Sequence, residues 1–187
     1  MRRMLLLALS AVLVVTAAAA GAAELMLRGR QEPVHRLVIP AAFGPYVRKP
    51  ALEKQMDGTG LRREVIAKGS GQASHVVYAV YENASALTSG GNPEIILFIG
   101  GNLSGVSSDG FISSFTQQFK GAQSISSGPM GGKAACVSAR PGVPGGVALC
   151  AWADNDTFGV VASSTMASSD LADQLRAIRP SVERPAK

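Results

Sequence analysis

From Met4 to Ala23 the chain runs for twenty residues without a charge, with Arg2 and Arg3 before the run and Glu24 after it. At about 1.5 Å per residue such a segment spans a hydrocarbon core of about 30 Å, and Leu25, Met26 and Leu27 extend it before Arg28 and Arg30. Two arginines ahead of the run hold a short amino terminus in the cytoplasm. The sequence therefore predicts a single-pass helix over residues 1–27, in contact with the lipid bilayer through Met4–Leu27, with everything after Arg28 outside the cell membrane. The same residues also fit a signal peptide: Leu5–Val15 is followed by Ala17–Ala23, with A-x-A cleavage sites after Ala20, Ala22 or Ala23, and the product is then secreted. Either fate excludes a cytoplasmic sensor or effector domain. No cysteine lies near the junction, which excludes a lipid-modified lipoprotein.

The first 27 residues hold 21 of the apolar side chains and three of the charges. What remains reads as one soluble domain over residues 37–187, long enough to bury a core, joined through a linker at residues 28–36 that contains Pro33. Eighteen Lys+Arg against 13 Asp+Glu give a net charge of +5, too small and too dispersed for a nucleic-acid surface, so no nucleic-acid partner is expected.

Leu37–Ile39, closed by Pro40, reads as a first edge strand, and Pro45 and Pro50 bracket a loop. Ala51–Lys68 carries Leu52, Met56, Leu61, Val65 and Ile66 at near-helical spacing, interrupted by Gly58 and Gly60, which predicts two short helices. His75–Glu82 and Glu94–Ile99 are strands around a Ser89–Pro93 turn, hence a hairpin. Glu94–Ile99 is apolar enough to be a central strand covered on both faces. Asp109–Lys120 is a helix with Ser108 as its cap and Gly121 as its stop. Four strands follow at Ala122–Ser126, Lys133–Ala139, Val147–Ala153 and Phe158–Ser163. Asp170–Arg179 closes as a helix with Leu171, Leu175 and Ile178 on one face, Ser169 as its cap, Arg176 and Arg179 in its last turn and Pro180 weakening or ending it. The fold class expected is α+β: a mainly antiparallel sheet of about five to seven strands, with two or three helices packed mainly on one face.

Cys136 and Cys150 flank Pro141-Gly142-Val143-Pro144. A hairpin centred on Val143 places them directly opposite each other, within reach of a disulfide, and an exported chain meets conditions in which that bond forms. Trp152 lies two residues beyond Cys150 on the same side of its strand, against the disulfide. Asp154-Asn155-Asp156-Thr157 is turn chemistry. It fails as a calcium loop, because Phe158 stands where an oxygen ligand is needed and Thr165 where a bidentate Glu is needed.

No catalytic constellation emerges. Around Gly132-Lys133, Ser127 and Ala134 break the phosphate-cradling pattern. Gly69-Ser70-Gly71 lacks the third glycine of a dinucleotide fingerprint, and no G-x-S-x-G elbow occurs. The two histidines, His35 in the linker and His75 at a strand start, have no triad partner nearby in sequence. No ligand set has metal-binding spacing. Neither cofactor nor metal is expected. Phe111, Phe115 and Phe119 form a stripe along one helix. It reads first as core packing, and otherwise as the wall of a lipid or small-ligand slot to which Trp152 also contributes.

The stretch GGKAACVSARPGVPGGVALCAWADNDTFGVV, followed by the Leu171–Arg179 helix, resembles a group of uncharacterised single-pass membrane proteins of high-GC Gram-positive bacteria. The elements carrying the resemblance are Gly128-Pro129, Gly131-Gly132 with Cys136, Cys150-Ala151-Trp152-Ala153-Asp154, Gly159, and Leu171–Ile178. They cover roughly the last 60 residues, together with the amino-terminal apolar segment. A composition of twelve arginines against six lysines agrees with a GC-rich source. The resemblance implies an anchored extracytoplasmic domain and no assigned activity. The function expected is thus a non-enzymatic envelope protein binding an unidentified envelope protein or small ligand. A lipid or small-ligand carrier is the alternative, and an envelope hydrolase a third class.

Overall fold

The computed structural model describes residues 34–68, 72–83, 85, 93–138 and 146–186. Along these residues the chain forms β1 (His35–Leu37), β2 (Ala42–Phe43), β3 (Tyr46–Arg48), α1 (Pro50–Gln55), α2 (Gly58–Lys68), β4 (Ala73–Asn83), β5 (Glu94–Leu103), α3 (Ser108–Gln118), β6 (Gln123–Ile125), β7 (Lys133–Val137), β8 (Ala148–Ala153), β9 (Thr157–Ser163), α4 (Ser168–Val182) and β10 (Glu183–Pro185). No helix among the described residues is long and apolar enough to cross a membrane. Met4–Leu27, on which the membrane-helix expectation falls, lies outside them, as do most of the linker and the Pro141–Pro144 turn.

Eight strands pair antiparallel in the order β2-β3-β4-β5-β9-β8-β7-β6. Two four-stranded meanders thus meet at β5 and β9, and β1 pairs with β10 in a separate two-stranded ribbon. The α+β class and the antiparallel sheet are as expected. The sheet is larger than five to seven strands, and the described residues hold four helices rather than two or three. The edge strand expected at Leu37–Ile39 appears two residues earlier as β1, and the additional strands β2, β3 and β10 are two or three residues long, too short for a period of two to register. One of them, β3, lies between the prolines that were read as bracketing a loop.

Both faces of the sheet are covered. Leu61 and Val65 of α2 and Phe111, Ile112 and Phe115 of α3 pack on one face, against Val76, Tyr78, Val80, Leu97, Leu149 and Val160. On the other face, Leu171, Leu175, Ile178 and Val182 of α4 pack with Leu37 against Tyr81, Phe98, Trp152 and Val161. Every residue of β8 is buried, its side chains alternating between the two cores. β5 is covered on both faces, as its apolar run predicts.

Several boundaries differ for local reasons. Ser107, not Ser108, caps α3, its hydroxyl accepting from the Gly110 amide at 3.1 Å. The break in Ala51–Lys68 falls at Met56-Asp57, with Asp57 at φ +50, and Gly58 and Gly60 lie inside α2. Gly58 is there for space: a Cβ would stand 2.2 Å from the Tyr78 ring. α4 starts at Ser168 without a side-chain cap and runs through Pro180 to Val182. Proline removes one amide bond from the ladder, but Ile178 and Val182, each 0 % exposed, pin the last turn to the sheet on either side of it.

Trp152 faces Gly159 directly across the β8–β9 pair. With no side chain at 159, the indole crosses to β5 and stacks on Phe98, centroids 5.8 Å apart and planes 4° from parallel. A Cβ on Gly159 would meet three indole carbons at 2.0, 2.3 and 2.4 Å. A ring packed between Phe98 and α4 has nowhere to move, so Gly159→Ala is expected to cost about 1–3 kcal/mol, the range for overpacked cores. Urea unfolding measures this, and an unchanged midpoint would contradict the packing described.

Candidate functional site

The densest polar chemistry lies where the β8–β9 turn, the β6–β7 loop, the end of α4 and the start of β10 converge. Asp154 sits at the head of the turn. Its Oδ1 accepts from the amides of Asp156 at 3.1 Å and Thr157 at 2.7 Å, as an Asp two and three residues before these amides can. The Thr157 hydroxyl lies 3.0 Å from both Asp154 oxygens and donates to Glu183 Oε1. The Trp152 indole N–H also reaches Glu183 Oε1, at 3.3 Å.

Arg179 closes the cluster. Its side chain is 1 % exposed. Nη2 bonds Asp154 at 2.7 Å, Nε bonds Glu183 at 3.1 Å, and Nη1 donates to the carbonyls of Ser127 and Gly131. The guanidinium carbon lies 5.8 Å from the centre of the Trp152 ring. So arranged, Arg179 grips two carboxylates and two backbone carbonyls, is buried from solvent, and has donors engaged along all three of its nitrogens.

The two carboxyls respond differently to burial. Glu183 is raised above its ordinary range, chiefly because burial strips the water from its charge, with Asp154 adding repulsion while Thr157 and Arg179 oppose. For Asp154 burial works the same way, but the amides of Thr157 and Asp156 outweigh it and hold the carboxyl below its ordinary range.

A second contact lies at the other end of the same turn. The His35 amide donates to Asp156 Oδ2 at 2.6 Å, and its Nδ1 lies 3.2 Å from Asp156 Oδ1. Asn102 Nδ2 donates to the His35 carbonyl at 2.6 Å. This arrangement fastens β1 to the central strands through both its amide and its carbonyl.

The residues singled out from the sequence fall in different places. Cys136 and Cys150 form a disulfide in the register predicted, directly opposed with Cα atoms 4.1 Å apart. Phe111, Phe115 and Phe119 are buried in the core beneath α3, with Phe111 against Phe158 and Phe115 against Phe119. Trp152 belongs to the core on the opposite face, so the sheet separates it from the phenylalanines and the four do not line one slot. No group of three or more His, Cys, Asp or Glu among the described residues is placed to hold a metal.

Arg179, Glu183 and the His35–Asp156 contact were not anticipated. For Arg179 a signal existed: it stands four residues after Leu175 on the apolar stripe of α4, where a charge needs a buried partner. His35 and Asp156 are 121 residues apart, beyond any local spacing.

Two outcomes follow from this geometry. Arg179→Met leaves Asp154 and Glu183 facing each other without a cation, and is expected to cost about 3–5 kcal/mol in denaturant unfolding. Glu183 has a folded pKa above its unfolded one, so the stability it contributes is complete below about pH 4.5 and is lost as pH rises through the raised value. The stability of the wild type relative to Glu183→Gln should therefore fall as pH rises above about 4.5, and a difference that stays level with pH would refute this assignment.

No family model matches the chain, and no curated protein and no solved structure is detectably similar to it. Its site rests on its own geometry.

Proposed function

We propose that this chain is a non-enzymatic envelope protein, held at the cell membrane by the apolar segment Met4–Leu27 with its α+β domain outside, where it engages a partner or ligand. The observation that carries the reading is the Cys136–Cys150 disulfide. Such bonds persist in exported proteins and are rare where thiols are kept reduced. The uncharged run after Arg2 and Arg3 supplies the route of export, and the C-terminal resemblance points to the same single-pass arrangement. The buried charges favour a scaffold over an active site. Arg179, Asp154 and Glu183 are bound to one another and to backbone, and an arginine so enclosed orients no substrate.

The test is made on the native product in a bacterial host. The chain is expected in the membrane fraction after carbonate washing, open to protease added to spheroplasts, with neither cysteine alkylated until a reductant is added. Amino-terminal sequencing distinguishes an intact anchor from a cleaved leader. An intact product in the cytosol with both thiols alkylated directly would overturn the proposal.

A further inference from the structure

The β1–β10 ribbon has two unlike faces. His35, Leu37 and Glu183 turn inward, to Asp156, to the core and to Thr157 respectively. Val34, Arg36, Arg184 and Ala186 are exposed on the outward side. Arg36 and Arg184 stand directly opposite each other across the two strands. Like charges in an opposed pair weaken a sheet, and among the described residues no acid pairs with either arginine. Arg184 places one N–H on the Pro180 carbonyl at 3.0 Å, and Arg36 has no ion-pair partner among the described residues. The acids at the root of the ribbon, Asp156 and Glu183, are held inward by His35 and by Arg179, Thr157 and Trp152. Beside the pair, Val34 is 69 % exposed, more than any other large apolar side chain among the described residues. The ribbon is firmly attached: Val38 donates to Val182 and Ala186 to Val34, each at 2.8 Å.

We propose that this outward face, Arg36 and Arg184 flanked by Val34, docks on the phosphate headgroups of an anionic membrane. Two planar guanidinium forks side by side suit phosphate oxygens, and an exposed valine next to them suits the boundary between headgroups and acyl chains. Reach also agrees. Seven residues, 28–34, separate Leu27 from β1, which at about 3.3–3.6 Å each extend no more than about 25 Å, and they include Arg28 and Arg30 against the single acid Glu32. The inference rests on the reading that residues 1–27 tether the chain to a membrane. It adds that the folded domain lies against that surface in a fixed orientation.

The test uses the full chain carrying a dye on Ala186→Cys, reconstituted into phosphatidylcholine vesicles with or without phosphatidylglycerol, with nitroxide headgroup lipid as quencher. Flotation reports the tether, and quenching reports the docking. Quenching is expected to be several-fold stronger with phosphatidylglycerol and to fall to the zwitterionic level in R36Q/R184Q, while flotation persists and the thermal midpoint does not drop. In the unsubstituted ribbon, raising salt to about 1 M, where the screening length is about 3 Å, should abolish the difference. Equal quenching in the two vesicle types, or quenching that survives both substitutions and salt, overturns the docking and leaves the tether standing. A chain that fails to float with either vesicle overturns both.

Discussion

A guanidinium removed from water costs several kcal/mol unless its donors find acceptors inside the protein, and Arg179 is 1 % exposed. Its acceptors come from the β6–β7 loop through Ser127 and Gly131, from the β8–β9 turn through Asp154, and from the start of β10 through Glu183. Each of these segments is fixed against α4 by the need to satisfy one cation. The consequence runs outward from there. Glu183 has to face inward to meet Arg179, Thr157 and Trp152, and in a strand its neighbour Arg184 must then face out. The orientation of the ribbon, and so the exposure of its arginine pair, follows from a charge buried in the core.

Gly131, Gly132, Asp154 and Gly159, from the β6–β7 loop, the β8–β9 turn and β9, meet around two side chains. Gly131 offers its carbonyl to Arg179, and at Gly132, φ +78, a Cβ would strike the Ala153 carbonyl at 2.4 Å. Gly159 clears the floor on which the Trp152 indole lies. Asp154 takes the Arg179 Nη2 at 2.7 Å. The neighbouring Gly100, paired with Gly159, extends the cleared row, and there a Cβ would press on Leu37 at 2.7 Å. A glycine inside a strand marks close approach by something else, in this case an indole and the side chain that holds the ribbon down. These residues form the joint between helix, sheet and ribbon.

What could be read from the sequence followed the reach of its periodicities. The β4–β5 hairpin, the apolar centre at β5, the strands β7 to β9 and the Leu171–Ile178 stripe each extend over enough residues to show a pattern, and each appears in the structure. The cysteine register follows from turn symmetry alone: opposing residues pair from Lys133 with Ala153 to Val137 with Leu149. Strands of two or three residues carry little pattern: β6 and an edge strand sharing Leu37 with β1 are legible, whereas the β2–β3 hairpin and β10 are not. The polar cluster was hidden for a different reason. Asp154 and Asp156 read correctly as turn residues and Arg179 as a helix-end cation, because local roles of that kind are common. That the same side chains also meet across the fold depends on tertiary packing, to which single-sequence patterns do not extend.

Packing also explains where the covalent link lies. β7 and β8 are built largely of small residues: Ala134 and Ala135 on one strand, Ala148, Ala151 and Ala153 on the other. Small side chains let α3 and α4 approach the sheet from opposite faces, their phenylalanines and leucines filling the space the alanines leave. The cost is that five of the hairpin's residues are alanines, which bury little area each, at about 25 cal/mol per Å², and have weak strand propensity. Cys136–Cys150 crosses this pair at a sequence separation of 14. On the chain-entropy model a loop of about 15 residues restricts the unfolded state by about 3 kcal/mol, a contribution that does not depend on side-chain area. The disulfide therefore supports an alanine-rich hairpin, next to the turn that positions Asp154 for Arg179.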